Sequence, residues 1–395
     1  MLDARKDFPF LDRRVNGSPL IYFDNAATTQ KPRLVMDALL DVYSSGIANV
    51  HRAVSFLAEE VTERFEGGRE TVARFIGAQS REVVFVRNST EGINVLCGML
   101  GRSRPLRVLT TTLEHHSNLL PWAAHGQVDF LPWTPDGRID LDALDEKLAA
   151  KPDLVAIARA SNFLGVLHPV REIIAASHAA GVPVLVDASQ SIAHERHDVR
   201  ELDCDFLVFS GHKIYGPSGT GALFIRNDWL ETLRPFFIGG SMIKEAHALS
   251  YTENDIPHRF EAGTPNIEGA VALAAALDYI SSLGMESVAA HEAELIRYAK
   301  CRLAQLPAVA LLGPAPGEPC APLVPFQVRG LDPGAVAKLL GNRANVIVRS
   351  GFLCAQPAHD QLGVGPTVRA SFGIYNTKAE IDCMIETLQA IVRVM

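Results

Sequence analysis

Long hydrophobic runs are missing from this 395-residue sequence: no apolar stretch reaches the length needed to span a bilayer, so no membrane partner is expected. Cysteine is sparse and scattered. The six cysteines, at positions 97, 204, 301, 320, 354 and 383, form no Cys-x-x-Cys pair, which argues against a zinc ribbon or a disulfide framework and for a reducing, cytoplasmic setting. Positive charge is also short, with 37 Lys and Arg against 45 Asp and Glu and a net charge of −8. That balance gives no general attraction to nucleic acid or to an anionic membrane. The opening MLDARKDFPFLDRR mixes acids and bases without an apolar segment, unlike a signal peptide or an acid-poor transit peptide. No internal repeat or low-complexity segment is present.

What remains is the composition of a compact globule, 48% hydrophobic and 21% charged, long enough for one large and one smaller domain. The spacing predicts an arm over residues 1–20, a large domain over 21–283 and a small α+β domain over 284–395. Between residues 80 and 226 short apolar runs alternate with helical patterns. The expected strands are Arg81–Arg87, Arg107–Thr111, Val128–Leu131, Leu154–Ala158, Val184–Val186, Phe206–Phe209 and Ala222–Ile225. Such alternation predicts an α/β fold with a mostly parallel sheet between helices.

The most informative stretch is Val184 to Arg226. Two buried-strand patterns each end in polar residues, Asp187 after the first and Ser210-Gly211-His212-Lys213 after the second. In open α/β sheets chemistry gathers beyond the carboxyl ends of the strands. An acid and a lysine on one rim suit pyridoxal phosphate (PLP), with the lysine in a Schiff base and the carboxylate holding the pyridine nitrogen protonated. Read singly, Lys213 is a loop lysine and Asp187 a helix cap. The run Ser210-Gly211-His212-Lys213 also spells Ser-x-x-Lys, but the Ser-Asp-Asn and Lys-Thr-Gly elements that accompany that nucleophile motif are absent.

Other stretches fit around this one. Asp24-Asn25-Ala26-Ala27-Thr28-Thr29 is a small-residue turn where substrate can approach the backbone near Ala27. Asn88-Ser89-Thr90-Glu91-Gly92 stands between a strand and a helix; it reads either as an anion site at a helix start or as an ordinary Ser/Thr cap. Glu114-His115-His116 offers ring faces for a flat cofactor, and no acid or cysteine stands at the spacing a metal would need, so no metal is expected. His194 and His197, near Glu195, lack a third ligand and read as turn residues. The small domain is expected to hold a helix over 286–305, strands at Leu323–Val328, Val346–Arg349 and Val368–Phe372, and a closing helix Lys378–Val394. The loop Ser350-Gly351-Phe352-Leu353-Cys354-Ala355-Gln356-Pro357 carries one cysteine. Residues 241–257 read as a polar loop.

Taken together, Ser210-Gly211-His212-Lys213, Arg259-Phe260-Glu261-Ala262-Gly263-Thr264-Pro265-Asn266 and Cys354-Ala355-Gln356-Pro357 resemble the class V aminotransferase family. That resemblance implies the fold of the fold-type I PLP-dependent transferases, with a seven-stranded sheet. Within the family the sequence resembles the group II cysteine desulfurases of the SufS/CsdA type. The resemblance runs from Tyr22 to Thr377. It implies that Lys213 is the Schiff-base lysine, that Asp187 pairs with the pyridine nitrogen and that His115 stacks on the ring. Gln190 and Asn162 would lie near the ring oxygen, while Thr90, Ser210 and His212 would hold the phosphate. Thr264 would reach the phosphate of a second subunit, so a homodimer is implied. Arg369 would clamp the substrate carboxylate with Asn162. Cys354 would take sulfur from L-cysteine as a persulfide, aided by Arg349 and His115, leave L-alanine, and pass the sulfur to a SufE-like acceptor in iron–sulfur cluster assembly.

One departure stands out. Many relatives carry polar residues before the cysteine, and this chain has Phe352-Leu353, which is expected to alter how the loop docks. Selenocysteine, or another amino acid cleaved by a PLP-dependent carbon–sulfur lyase, is the alternative substrate.

Overall fold

The computed structural model describes residues 2, 4–51 and 55–393; the expected end of the closing helix at Val394 lies outside them. Strand β1 (Ile21–Tyr22) is followed by helices α1 (Arg33–Ser45) and α2 (Phe56–Ile76). Then come β2 (Val83–Val86), α3 (Ser89–Leu100), β3 (Leu106–Thr110), β4 (Gly126–Phe130) and β5 (Leu154–Ala158). Helix α4 (Val170–Ala179) leads to β6 (Val184–Asp187), β7 (Phe206–Ser210) and β8 (Gly221–Ile225).

These strands form one seven-stranded sheet in the order β2-β8-β7-β6-β5-β3-β4. Strand β8 runs antiparallel to both neighbours and the other pairings are parallel. Alternate residues enter two cores. Val184, Val186, Leu207 and Phe209 pack with α2, α4 and the long helix α5 (Ile267–Leu283); Leu185, Phe206 and Val208 pack with α3. Burial on both faces explains why the inner strands read as unbroken apolar runs. Helix α3 lies close on the sheet because Gly92 lacks a side chain: a Cβ there would stand 2.7 Å from Val208 Cγ2.

Helix α6 (Met285–Ala304) opens the C-terminal part. Strands β9 (Val309–Leu311) and β10 (Leu323–Val328) follow, then α7 (Pro333–Ala344), β11 (Val346–Ile347) and β12 (Arg349–Gly351). Helix α8 (Gln356–Leu362), β13 (Thr367–Ser371) and α9 (Lys378–Arg393) complete it. Here an antiparallel sheet of order β9-β10-β13-β12 shares a separate core with α6, α7 and α9. The expected strand Val346–Arg349 is divided: β11 pairs with β1 and β12 pairs with β13. Ile21 and Phe23 therefore pack in this second core, although they stand early in the chain. The expected loop over 241–257 also contains a hairpin, Ile243–Ala246 with Tyr251–Glu253. Its strands are largely exposed, so they carry no buried-face alternation for a sequence reading to find. Among the described residues no single helix is long and apolar enough to cross a membrane.

Candidate active site

Register explains how the site assembles. Ala158 pairs with Asp187, Asp187 with Val208, and Gly221 with both Ser210 and Val86. The ends of β5, β6, β7 and β2 thus reach one rim, with the start of antiparallel β8 among them. Asn88 caps α3, its side chain accepting the Glu91 N–H at 2.9 Å. The cap is Asn88 rather than Ser89 or Thr90, and those two hydroxyls are left in the first turn beside the rim.

A cavity of about 450 Å³ opens there. It is lined by Lys213, Asp187, His115, Thr90, Ser210, His212, Gln190 and Asn162, and also by Ala27, Arg349, Arg369 and Cys354. Of the residues expected to hold cofactor or substrate, Thr264 alone stands apart, in a separate cavity of about 540 Å³ with Phe237, Ile238 and Asn266. Residues that the sequence reading passed over also line the site, notably Ser89, Ser117 and Ser189. Ser89 and Ser189 stand inside the stretches already quoted, next to Thr90 and Gln190.

The hydroxyls form a connected cradle. Ser210 Oγ accepts the Ser89 N–H at 2.8 Å and lies 2.7 Å from Ser89 Oγ, which in turn meets Ser189 Oγ. Thr90 Oγ1 is 2.7 Å from Ser117 Oγ. With the start of α3 behind them, these donors suit an anion. The His212 carbonyl accepts from Thr29 N–H at 2.9 Å and from Lys31 Nζ at 3.1 Å, which fixes the turn that carries Lys213.

Electrostatics follow from burial. Desolvation pushes the Lys213 ammonium pKa down, with the Asp187 charge opposing it. The same cause holds His115 down at about 3 and His212 at about 4, Lys213 adding to both. His115 is therefore neutral, and its Nδ1 accepts the Ser117 N–H at 3.0 Å, leaving Nε2 to carry the proton. Glu114, wholly buried, accepts the Ala158 N–H at 3.0 Å and Asn118 Nδ2 at 2.7 Å. Burial pushes it up to about 8, with Asp187 adding to the rise.

Two arginines face this cradle from the second sheet. Arg369, on β13, is buried; its Nη1 donates to Asn162 O at 2.6 Å and its Nη2 lies 3.6 Å from Asp24. Its Nε has no hydrogen-bond partner. Arg349 is half exposed and pairs with the same aspartate at 3.1 Å. Gln190 Nε2 donates to the Ala26 carbonyl at 2.8 Å, holding the small-residue turn against the rim. Cys354 is exposed at the mouth, with its backbone at φ +56°.

Comparison with known proteins gives the family. The class-V aminotransferase family model matches residues 21–384. A probable cysteine desulfurase of Synechocystis sp. is 43% identical, over 99% of this chain and 95% of its own. A cysteine desulfurase of Enterobacter sp. is 42% identical, over 98% and 97%. The apo cysteine desulfurase of Thermococcus onnurineus superposes with a TM-score of 0.94 at 38% identity, covering 100% of this chain and 98% of that one. CsdA of Escherichia coli, a cysteine desulfurase, superposes at 0.89 and 32% identity, covering 99% and 98%. With that breadth of match, this chain belongs to the class-V aminotransferase family and stands among its cysteine desulfurases.

Proposed function

We propose that the chain is a PLP-dependent cysteine desulfurase that releases L-alanine from L-cysteine and keeps the sulfur on Cys354. The observation that carries this reading is one cavity lined by Lys213, Asp187, Arg369 and Cys354 together. The residues present fit the cofactor. Ser89, Thr90, Ser210 and His212 would hold its phosphate, Asp187 its pyridine nitrogen, His115 its ring face, and Gln190 with Asn162 its ring oxygen; Lys213 would hold it covalently. Bound PLP supplies a sink for the electron pair left at Cα when a proton departs.

The protein groups do the rest. Arg369 takes the substrate carboxylate, for which its unpartnered Nε is a ready donor. Burial favours the free amine of Lys213, which lets it take the Cα proton and return it later. Cys354 Sγ, as a thiolate, bonds to the substrate sulfur as the Cβ–S bond breaks. The electron pair of that bond stays with Cβ, which is protonated, and alanine leaves. Arg349 and His115 line the same cavity and would stabilise negative charge on sulfur, His115 through its Nε2–H.

The persulfide then passes to an acceptor protein of SufE-like type. A homodimer accounts for Thr264, which borders exposed Phe237 and Ile238 instead of the catalytic cavity. The test is the mass of the Cys354 peptide from the holoenzyme after brief exposure to L-cysteine without reductant. A gain of one sulfur atom supports the reading. Alanine formation with an unchanged peptide overturns Cys354 as acceptor and favours direct elimination, the chemistry selenocysteine would also allow.

A further inference from the structure

Cys354 sits on a turn that a single local hydrogen bond closes, from Ala355 N–H to Phe352 O at 2.8 Å. Leu353 and Cys354 are consecutive residues in the left-handed region, at φ +54° and +56°. Neither is glycine, so the pair of conformations is unfavourable alone and has to be imposed by surrounding contacts. Those contacts come from the large sheet's side of the cavity. Asn162 Nδ2 donates to Leu353 O at 2.7 Å, and His116 N–H donates to Cys354 O at 2.9 Å. His116 Nε2 accepts the Gln356 N–H at 3.2 Å, so one histidine bridges both sides of the cysteine. Beneath the loop, Leu353 is 9% exposed and packs in an apolar cluster with Leu113, Trp133, Phe163 and Leu164. The side chain that sequence alone marks as out of place before a catalytic cysteine is the loop's buried peg.

We propose that Leu353 and His116 are positioning residues for sulfur transfer: together they hold Cys354 in its left-handed conformation at the cavity mouth. Leu353 supplies the apolar anchor, and His116 ties down the carbonyl at 354 and the amide at 356. Leu353 also borders the cavity, but its positioning role runs through the backbone at Cys354. The Cα–H step, which depends on Lys213 and the cofactor, does not need the clamp; the attack of Sγ on the substrate sulfur does. This rests on the reading of Cys354 as sulfur acceptor.

The experiment uses the holoenzyme and reads two partial reactions. Exchange of the Cα proton of L-alanine in D2O reports the lysine side; the rate of persulfide formation on Cys354 reports the clamp. For Leu353→Ala the expected result is a persulfide rate lower by roughly 100-fold, the scale of loss when a reacting group is misplaced by about 1 Å, with Cα exchange retained. Leu353→Met, which conserves volume, restores most of the rate. His116→Ala removes the acceptor for the Gln356 N–H but keeps the N–H bonded to Cys354, and a loss of roughly tenfold is expected. Equal persulfide rates in wild type and Leu353→Ala would overturn the clamp while leaving Cys354 as acceptor. A wild type that forms no persulfide would instead overturn the underlying reading. Should Leu353→Ala fail to fold, amide exchange in the wild type decides. Protection of the Gln356 amide, which donates to His116 Nε2, supports the clamp, and exchange at the unprotected rate overturns it.

Discussion

The two sides of the cavity are built on different terms. The lysine side stands on the ends of β5, β6 and β7, where Asp187, Gln190 and Ser210 are each less than 9% exposed and their spacing is set by strand register. The cysteine side is a loop between β12 and α8, with an exposed cysteine on left-handed backbone. A group that holds a cofactor gains from burial, because fixed dipoles act strongly where water is excluded. A group that must hand sulfur onward cannot be buried. It gains its precision from contacts beneath it, and the sheet's register does not reach it.

The largest expected effect comes from breaking the lysine side. Lys213→Ala should lower alanine formation by about 10⁴-fold or more, since one member of a unit that acts together removes most of the catalysis. Cα exchange should vanish with it. Cys354→Ala breaks the other side, and there the partial reactions should separate: turnover of L-cysteine falls by about 10³-fold, while Cα exchange survives. Loss of Cα exchange in Cys354→Ala would mean that the two sides are not independent. Turnover of selenocysteine by the same variant, measured as selenide release, would mark direct elimination at the lysine side alone.

The same contrast governs what could be read from the sequence. The inner strands are legible because they are buried on both faces: Leu154–Ala158 is an unbroken apolar run, and Phe206–Ser210 is one that ends in a polar residue. Asp187 and the turn carrying Lys213 stand at such ends, whereas Gln190 and Asn162 rest on the family resemblance, and Ser89 and Ser189 lie beside Thr90 and Gln190. The cysteine loop was recognisable by its family motif, but its docking was not, because Leu353 meets Leu113, Trp133 and Phe163, which lie far off in the chain. The first two residues of helix α8, Gln356 and Pro357, fall in the stretch that reads as a loop, although Pro357 stands in the first helical turn, where proline is tolerated. The split of Val346–Arg349 into two strands escaped for a similar reason: only the partners β1 and β13 distinguish them.

Between the two sides lies Arg369, whose Nη1 is committed to Asn162 O while its Nε is free. Arg369→Lys keeps a positive charge and loses the planar fork. KM for L-cysteine should rise by roughly 10- to 100-fold, the range for a lost hydrogen bond to a charged group, with a smaller change in kcat. Steady-state kinetics check this. An unchanged KM would move carboxylate recognition to the half-exposed Arg349 and so to the cysteine side.

The smallest effect concerns Glu114, which lies wholly buried on the lysine side with its carboxyl pushed up to about 8 by desolvation, Asp187 adding to it. The sign follows from proton binding. In the unfolded chain the acid ionises near 4.5, so between that pH and about 8 the folded state holds a proton that the unfolded state has lost. Its contribution to stability is fully present below about 4.5 and is lost as pH rises through 8. Glu114→Gln keeps an oxygen for the Ala158 N–H and cannot ionise, so the downward slope of Tm with pH across this window should flatten. Thermal melts of both proteins from pH 5 to 9 measure the difference. A variant whose slope matches the wild type would mean that Glu114 titrates normally, and the Asp187 environment would then be more polar than its burial implies.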